Sequence, residues 1–207
     1  MLIGRLLAGV LVVLATAAPT LAVDPGNRTW DPDLKRWLTE EELGSIDVYL
    51  TEEQALKILF PRAQKIQSEE LRLAPDQKTR IEERIGWKFP ETTFRGFKAE
   101  SHGTIDGFAI IQETIGKHRP ITYIVGITPG GRVFDVEILV YRESKGSEVR
   151  RKRFNAQYEG KTAEDPIRIN KDIINVTGAT MSVRSVSAGV KRALVLAEEF
   201  YLNHASH

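Results

Sequence analysis

The chain opens on an unbroken apolar run over residues 6–18, and periodic patterning begins only well beyond it. From Thr51 the period is helical. Thr51-Glu52-Glu53-Gln54 has capping-box spacing and predicts a helix carrying Ala55, Leu56, Ile58 and Leu59, ended by Pro61. A second helix is predicted over 75–85, with Asp76 near its start and Gly86 past its end. The middle of the chain is rich in β-branched and aromatic residues, and strands are predicted over 94–100, 108–111, 121–128 and 132–141. In the last of these, alternation puts Phe134, Val136, Ile138 and Val140 on one face and Asp135 and Glu137 on the other. Pro129-Gly130-Gly131 reads as a tight turn between two strands. The end returns to helix: Val183, Val186, Val190, Ala193, Leu194 and Ala197 recur at helical spacing, with Lys191, Arg192, Glu198 and Glu199 on other faces. The pattern predicts one α+β domain, an antiparallel twisted meander with one face covered and a long C-terminal helix.

Three segments precede or make up that domain. Residues 1–22 carry a single charge (Arg5), the apolar run, and small residues at Thr20 and Ala22, the three-part pattern of a cleaved secretory signal. The run is shorter than the roughly 20 residues that span a bilayer. Residues 23–50 are polar, with Pro25, Pro32, Trp30 and Trp37, and read as an extended arm pinned by its tryptophans. Residues 51–207 form the single domain. With no cysteine in an exported chain, a bacterial periplasm is the expected compartment.

Composition removes several classes of function. Lys and Arg number 29 against 28 Asp and Glu, so no broad basic surface points to nucleic acid. The absence of cysteine excludes thiolate chemistry and Cys-based metal sites, and four scattered histidines make no metal constellation. Lys145, Arg150, Arg151, Lys152 and Arg153 make a basic stretch expected as a solvated loop or edge strand, with docking of an acidic redox partner as its sharper reading. Trp87 and Phe89 are expected in the core.

Chemistry concentrates where the sheet gives way to the last helix, at Asn175-Val176-Thr177-Gly178-Ala179-Thr180-Met181-Ser182. Small and hydroxyl residues at a helix entrance suit an anion, because the first helical amides have no internal partner and the dipole is positive there. Two readings stay open on these residues alone. Gly178 and Ala179 admit a phosphate to the backbone while Thr177, Thr180 and Ser182 supply hydroxyls, or Thr180 or Ser182 merely caps the helix.

Thr177-Gly178-Ala179-Thr180 followed by Met181-Ser182 resembles the Ser/Thr-Gly-Ala-Thr motif of the FMN-binding domain family, which includes the flavin subunits of Rnf-type complexes and of the sodium-pumping quinone reductase. Three further blocks are similar to the family in the same order. They are Gly131-Arg132-Val133 through Val140-Tyr141-Arg142-Glu143-Ser144, then Phe154-Asn155-Ala156-Gln157-Tyr158-Glu159-Gly160-Lys161, and the helix over 186–194. The similarity spans about residues 105–197. It implies FMN as cofactor, with Thr177, Gly178, Ala179, Thr180, Met181, Ser182 and Glu143 around it and the long helix starting at the motif. It further implies a phosphoester bond at Thr180 installed by a flavin transferase, and a membrane or periplasmic redox partner. Where the family's transferase substrates usually carry an aspartate, three residues before the motif, this chain has Ile174. The expected protein is an electron carrier rather than a self-sufficient enzyme, since no Gly-rich dinucleotide fingerprint is present. The alternative is an accessory module of the same fold that binds flavin non-covalently or not at all.

Overall fold

The computed structural model describes residues 28–31, 36–39, 46–117, 119–143 and 145–203. The predicted leader, much of the predicted arm, and His118, Ser144, His204 and His207 lie outside the described residues.

Within the predicted arm, β1 (Arg28–Asp31) and β2 (Arg36–Thr39) pair antiparallel with Trp30 opposite Trp37. The main sheet has six strands: β3 (Asp47–Val48), β4 (Lys65–Arg72), β5 (Thr93–Ser101), β6 (Thr104–Ile115), β7 (Pro120–Ile127) and β8 (Val133–Tyr141). β4 to β8 run as an antiparallel meander, and β3 adds to the free side of β8. α1 (Glu52–Leu59) starts at the expected capping box: the Thr51 hydroxyl accepts from the Gln54 amide at 3.2 Å, and Gln54 Oε1 accepts from the Thr51 amide at 2.9 Å. α2 (Pro75–Ile85) has proline in its first turn and ends on Gly86. The basic stretch is helical rather than loop or strand. A 3-10 turn (Ser147–Arg150) leads into the short α3 (Lys152–Asn155), Arg150 lies over the Tyr49 ring, and Lys152 bridges Asp135 and Glu137. Among the described residues no helix is long and apolar enough to cross a membrane.

Both faces of the sheet are covered, one more than the alternation predicted. α4 (Thr180–Ala197) lies across β6 and β7 and buries every apolar position expected of it. On the opposite face Ala55, Leu56 and Leu59 of α1 meet Phe97, Ala99, Ala109, Ile124 and Leu139. The expected shared face in β8 is also split. Gly126 pairs with Asp135 but Ile127 with Val133, and Thr122 pairs with Val140 but Tyr123 with Ile138. Each shift leaves one extra residue, Phe134 and Leu139, and each flips the alternation. Val133, Val136, Ile138 and Tyr141 therefore join the α4 side, while Phe134, Leu139 and Val140 join the α1 side. Two bulges let one strand serve two cores.

α4 is fixed to the sheet by two contacts that its apolar pattern does not reveal. Arg192, expected on an outer face, is 1% exposed. Its guanidinium donates to Gln112 Oε1 (2.7 Å), Glu91 Oε2 (3.1 Å) and the Glu113 carbonyl (3.1 Å), and sits 4.9–5.3 Å from the ring centres of Phe94, Phe89 and Trp87. One turn earlier, Gly189 faces Tyr123, and a β-carbon there would come 1.6 Å from the tyrosine oxygen. The bare glycine lets the Tyr123 hydroxyl reach the Ser185 and Val186 carbonyls (3.4 and 3.3 Å) and Thr114 Oγ1 (3.1 Å). Helix propensity alone favours alanine over glycine by about 1 kcal/mol, but here the overlap dominates. Gly189→Ala is expected to lose about 2 kcal/mol or more of stability in urea unfolding, and a neutral or stabilising result would contradict this packing.

Candidate functional site

The approach to α4 is built before the motif begins. Ile167, Arg168, Asn170 and Lys171 form a tight loop in which Ile167 and Asn170 hold positive φ (48° and 64°). Asp172 ties this loop down: its carboxylate accepts from the Arg168 amide (2.8 Å), the Ile167 amide (3.0 Å) and Lys161 Nζ (2.9 Å). Burial works against the Asp172 charge, but the Arg168 amide, Lys161 and the Ile167 amide outweigh it and hold the carboxyl below its ordinary range. Two residues later the Ile174 amide donates to Gln157 Oε1 at 2.7 Å. Phe154 and Tyr158 pack edge-to-face in the core, and the Tyr158 hydroxyl lies 2.9 Å from Ser187 Oγ on α4. The Phe154-to-Lys161 block is thus the bracket that holds the segment leading into the motif, Lys161 and Gln157 gripping it from outside and Phe154 and Tyr158 anchoring them inside.

The motif then turns into the helix. Gly178 has φ of 85° with nothing within 4 Å of where a β-carbon would stand, so the turn demands glycine and its outer side is open. The buried Ala179 is the N-cap residue, its amide donating to the Val176 carbonyl at 3.0 Å. No side chain caps α4. Thr180 and Ser182 are the first and third helical residues, so the capping reading of these hydroxyls does not hold. The amides of Thr180, Met181 and Ser182 open the helix ahead of its first internal bond, from the Val183 amide to the Ala179 carbonyl (2.9 Å). Thr180 is half-buried, and its Oγ1 accepts from Asn175 Nδ2 at 2.9 Å.

Ser182 and Glu143 serve the surroundings. The Tyr141 hydroxyl donates to the Lys145 carbonyl (2.6 Å) and lies 2.9 Å from Ser182 Oγ, which joins the end of β8 to the start of α4. Burial pushes the Tyr141 phenol up to about 12, against the lowering effect of Ser182, so it stays protonated. Glu143, two residues on, is buried, and its Oε1 accepts from the Arg119 amide at 2.8 Å, closing the β6–β7 turn. The structure thus gathers Thr177 to Ser182 at one helix start and places the Glu143 carboxylate against a neighbouring turn. Beside the motif a cleft of about 330 Å³ is walled by Phe154, Ile174 and Val176 and lined also by Arg151, Arg153, Glu148 and Gln157. Gln157 and Asp172 were not expected as site residues, and Asn175, within the expected segment, was given no role there. For Gln157, the fixed spacing of the Phe-x-x-Gln block was the available signal; a lone Asp172 offered none.

Residues 116–195 match the model of the FMN-binding domain family, a region that takes in β7, β8, the bracket, the motif and most of α4. The matched region holds the motif blocks read from the sequence, and the match bears out the resemblance to that family which they carry. Over 106 residues it is 28% identical to one of the subunits of the proton-translocating ferredoxin:NAD(+) oxidoreductase complex of Clostridium ljungdahlii. That match takes in 47% of this chain and 57% of the relative, so it spans little more than half the relative's length. In fold the chain is similar to the crystal structure of NqrC from Shewanella oneidensis, with a TM-score of 0.50 and 15% identity over 76% of this chain and 91% of that one.

The bracket makes a prediction of its own. Asp172→Ala is expected to cost about 2–3 kcal/mol and to increase amide exchange over residues 167–176. Because the carboxyl is depressed below an unfolded value of about 3.9, its contribution is complete above that pH and is lost as pH falls through the lower folded value. Acid unfolding that is identical in the variant and the parent protein would contradict the assignment.

Proposed function

We propose that this protein is an exported electron-transfer flavoprotein that holds FMN through a phosphoester bond at Thr180 and works beside the subunits of a membrane redox complex. The observation that carries the reading is the coincidence of the family motif with an uncapped helix start. The amides of Thr180, Met181 and Ser182 and the positive end of the helix would balance the phosphate charge. Gly178 leaves the backbone open to it, and the Thr177 hydroxyl lies at the exposed edge. Asn175 orients the Thr180 oxygen from one side, leaving its proton for a flavin transferase to remove as an Oγ–P bond forms and AMP leaves FAD. The Ser182 hydroxyl is already engaged with Tyr141, so its amide is what it offers a ligand. Glu143 keeps the β6–β7 turn in place beside this end of the sheet. Phe154, Ile174 and Val176 offer an apolar wall in the adjoining cleft, with Arg151 and Arg153 at hand. Bound FMN supplies the redox chemistry, and the protein supplies its position and electrostatic setting. The signal-like residues 1–22 support export to a periplasm, and the relative's place in a multi-subunit oxidoreductase complex supports partnership with a membrane complex.

Co-expression with a flavin transferase should yield a mature protein heavier by one FMN less one water. Its in-gel fluorescence should survive denaturation, and the added mass should map to the peptide containing Thr180. Thr180→Val should be colourless at unchanged thermal stability. Yellow colour lost on denaturation would replace the tether with non-covalent FMN. A colourless parent protein would overturn the electron-carrier reading and leave the accessory module.

A further inference from the structure

A cavity of about 510 Å³ opens between the C-terminal end of α2, the loop over 166–171 and the middle of α4. Five cationic residues line it, Arg84, Arg168, Lys171, Arg184 and Lys191, and no carboxylate does. It shares no lining residue with the motif or with the cleft beside it.

Two of the five cations are already engaged. Arg84 pairs with Glu164 and Glu198, and Lys191 donates to the Ala163 and Asp165 carbonyls. The Arg168, Lys171 and Arg184 side chains form no ion pair among the described residues. Three cations without an ion-pair partner at one cavity attract an anion, and burial with the nearby Arg84 lowers the Lys191 ammonium from its ordinary value against the opposing pull of Glu164, Asp165 and Glu198. The loop is also held in a costly shape. Ile167 is buried with φ of 48°, a backbone region that β-branched residues avoid, and Asp172 fixes it there. This loop brings Arg168 and Lys171 to the cavity that Arg184 lines from α4. Arginine's planar fork can bond two oxygens of a phosphate or a carboxylate at once, and Trp87 with Ile85 gives the cavity an apolar wall for the body of a ligand.

We propose that this cavity is a binding site for a small organic oxyanion, a phosphate ester or a polycarboxylate, gripped by Arg168, Lys171 and Arg184 and separate from the flavin phosphate. The site does not depend on whether FMN is attached.

Calorimetric titration of the mature protein with inorganic phosphate and with citrate, at constant ionic strength set by chloride, tests it. Saturable one-site binding of at least one of the two is expected. Arg184→Gln and Arg168→Gln, both at exposed positions, should each weaken it at least tenfold with unchanged thermal midpoints. Lys145→Gln, a cation outside the cavity, should leave it intact. Tighter phosphate would assign a phosphate ester, and tighter citrate a polycarboxylate. Binding unchanged in both Arg184→Gln and Arg168→Gln would put the anion elsewhere, the start of α4 included, and would overturn the cavity. Absence of saturable binding, or equal weakening by Lys145→Gln, would also overturn it.

Discussion

The close seating of α4 on the sheet is the constraint on which the rest depends. A helix start can receive an anion only if the helix is held rigidly at the right depth, and here that depth is set by the contact of Gly189 with the Tyr123 ring and by the buried Arg192. Val183, Val186, Val190 and Leu194 supply the bulk of the burial, worth about 1.5–3 kcal/mol for each large side chain. That apolar face would tolerate some sliding. The polar contacts of Tyr123 and Arg192 would not, because each group is buried and would be left without partners after a shift.

From this fixed helix the motif is positioned by a second set of contacts at its N-terminal end. Ser182 meets Tyr141 at the end of β8, Gln157 holds Ile174, and Lys161 with Asp172 closes the loop before it. The consequence is an open turn at Gly178 and helical amides that no side chain caps. Amides that no side chain caps at the start of a well-packed helix are a modest local cost, and that cost is what gives the start of α4 its capacity for an anion. The same Asp172 that completes the bracket also holds the Ile167 loop, so one carboxylate links the motif's approach to the basic cavity.

Much of this was legible in the sequence where local rules govern. The Thr51 box, the Pro75 start with its Gly86 end, and the helical spacing from Val183 to Ala197 are local signals, and each gave its element. β4 was missed because Lys65–Arg72 is an edge strand rich in charge, held by backbone pairing to β5 rather than by an alternating apolar face. The faces of β8 were misread because bulges are set by partner strands, which a period of two does not encode. Arg192 looked like a solvent residue because its partners, Gln112, Glu91 and three aromatic rings, come from distant segments. The site divides in the same way: the Thr177–Ser182 motif is contiguous and readable, whereas Gln157 and Asp172 act through tertiary contacts.

The central claim is that the uncapped start of α4 receives the phosphate of a flavin carried on Thr180. A crystal structure of the protein matured with a flavin transferase tests it most directly. The account predicts electron density continuous from Thr180 Oγ1 to a phosphorus, with phosphate oxygens within hydrogen-bonding reach of the Thr180, Met181 or Ser182 amides. A flavin whose phosphate lies elsewhere, or a Thr180 hydroxyl still bonded only to Asn175, would contradict it.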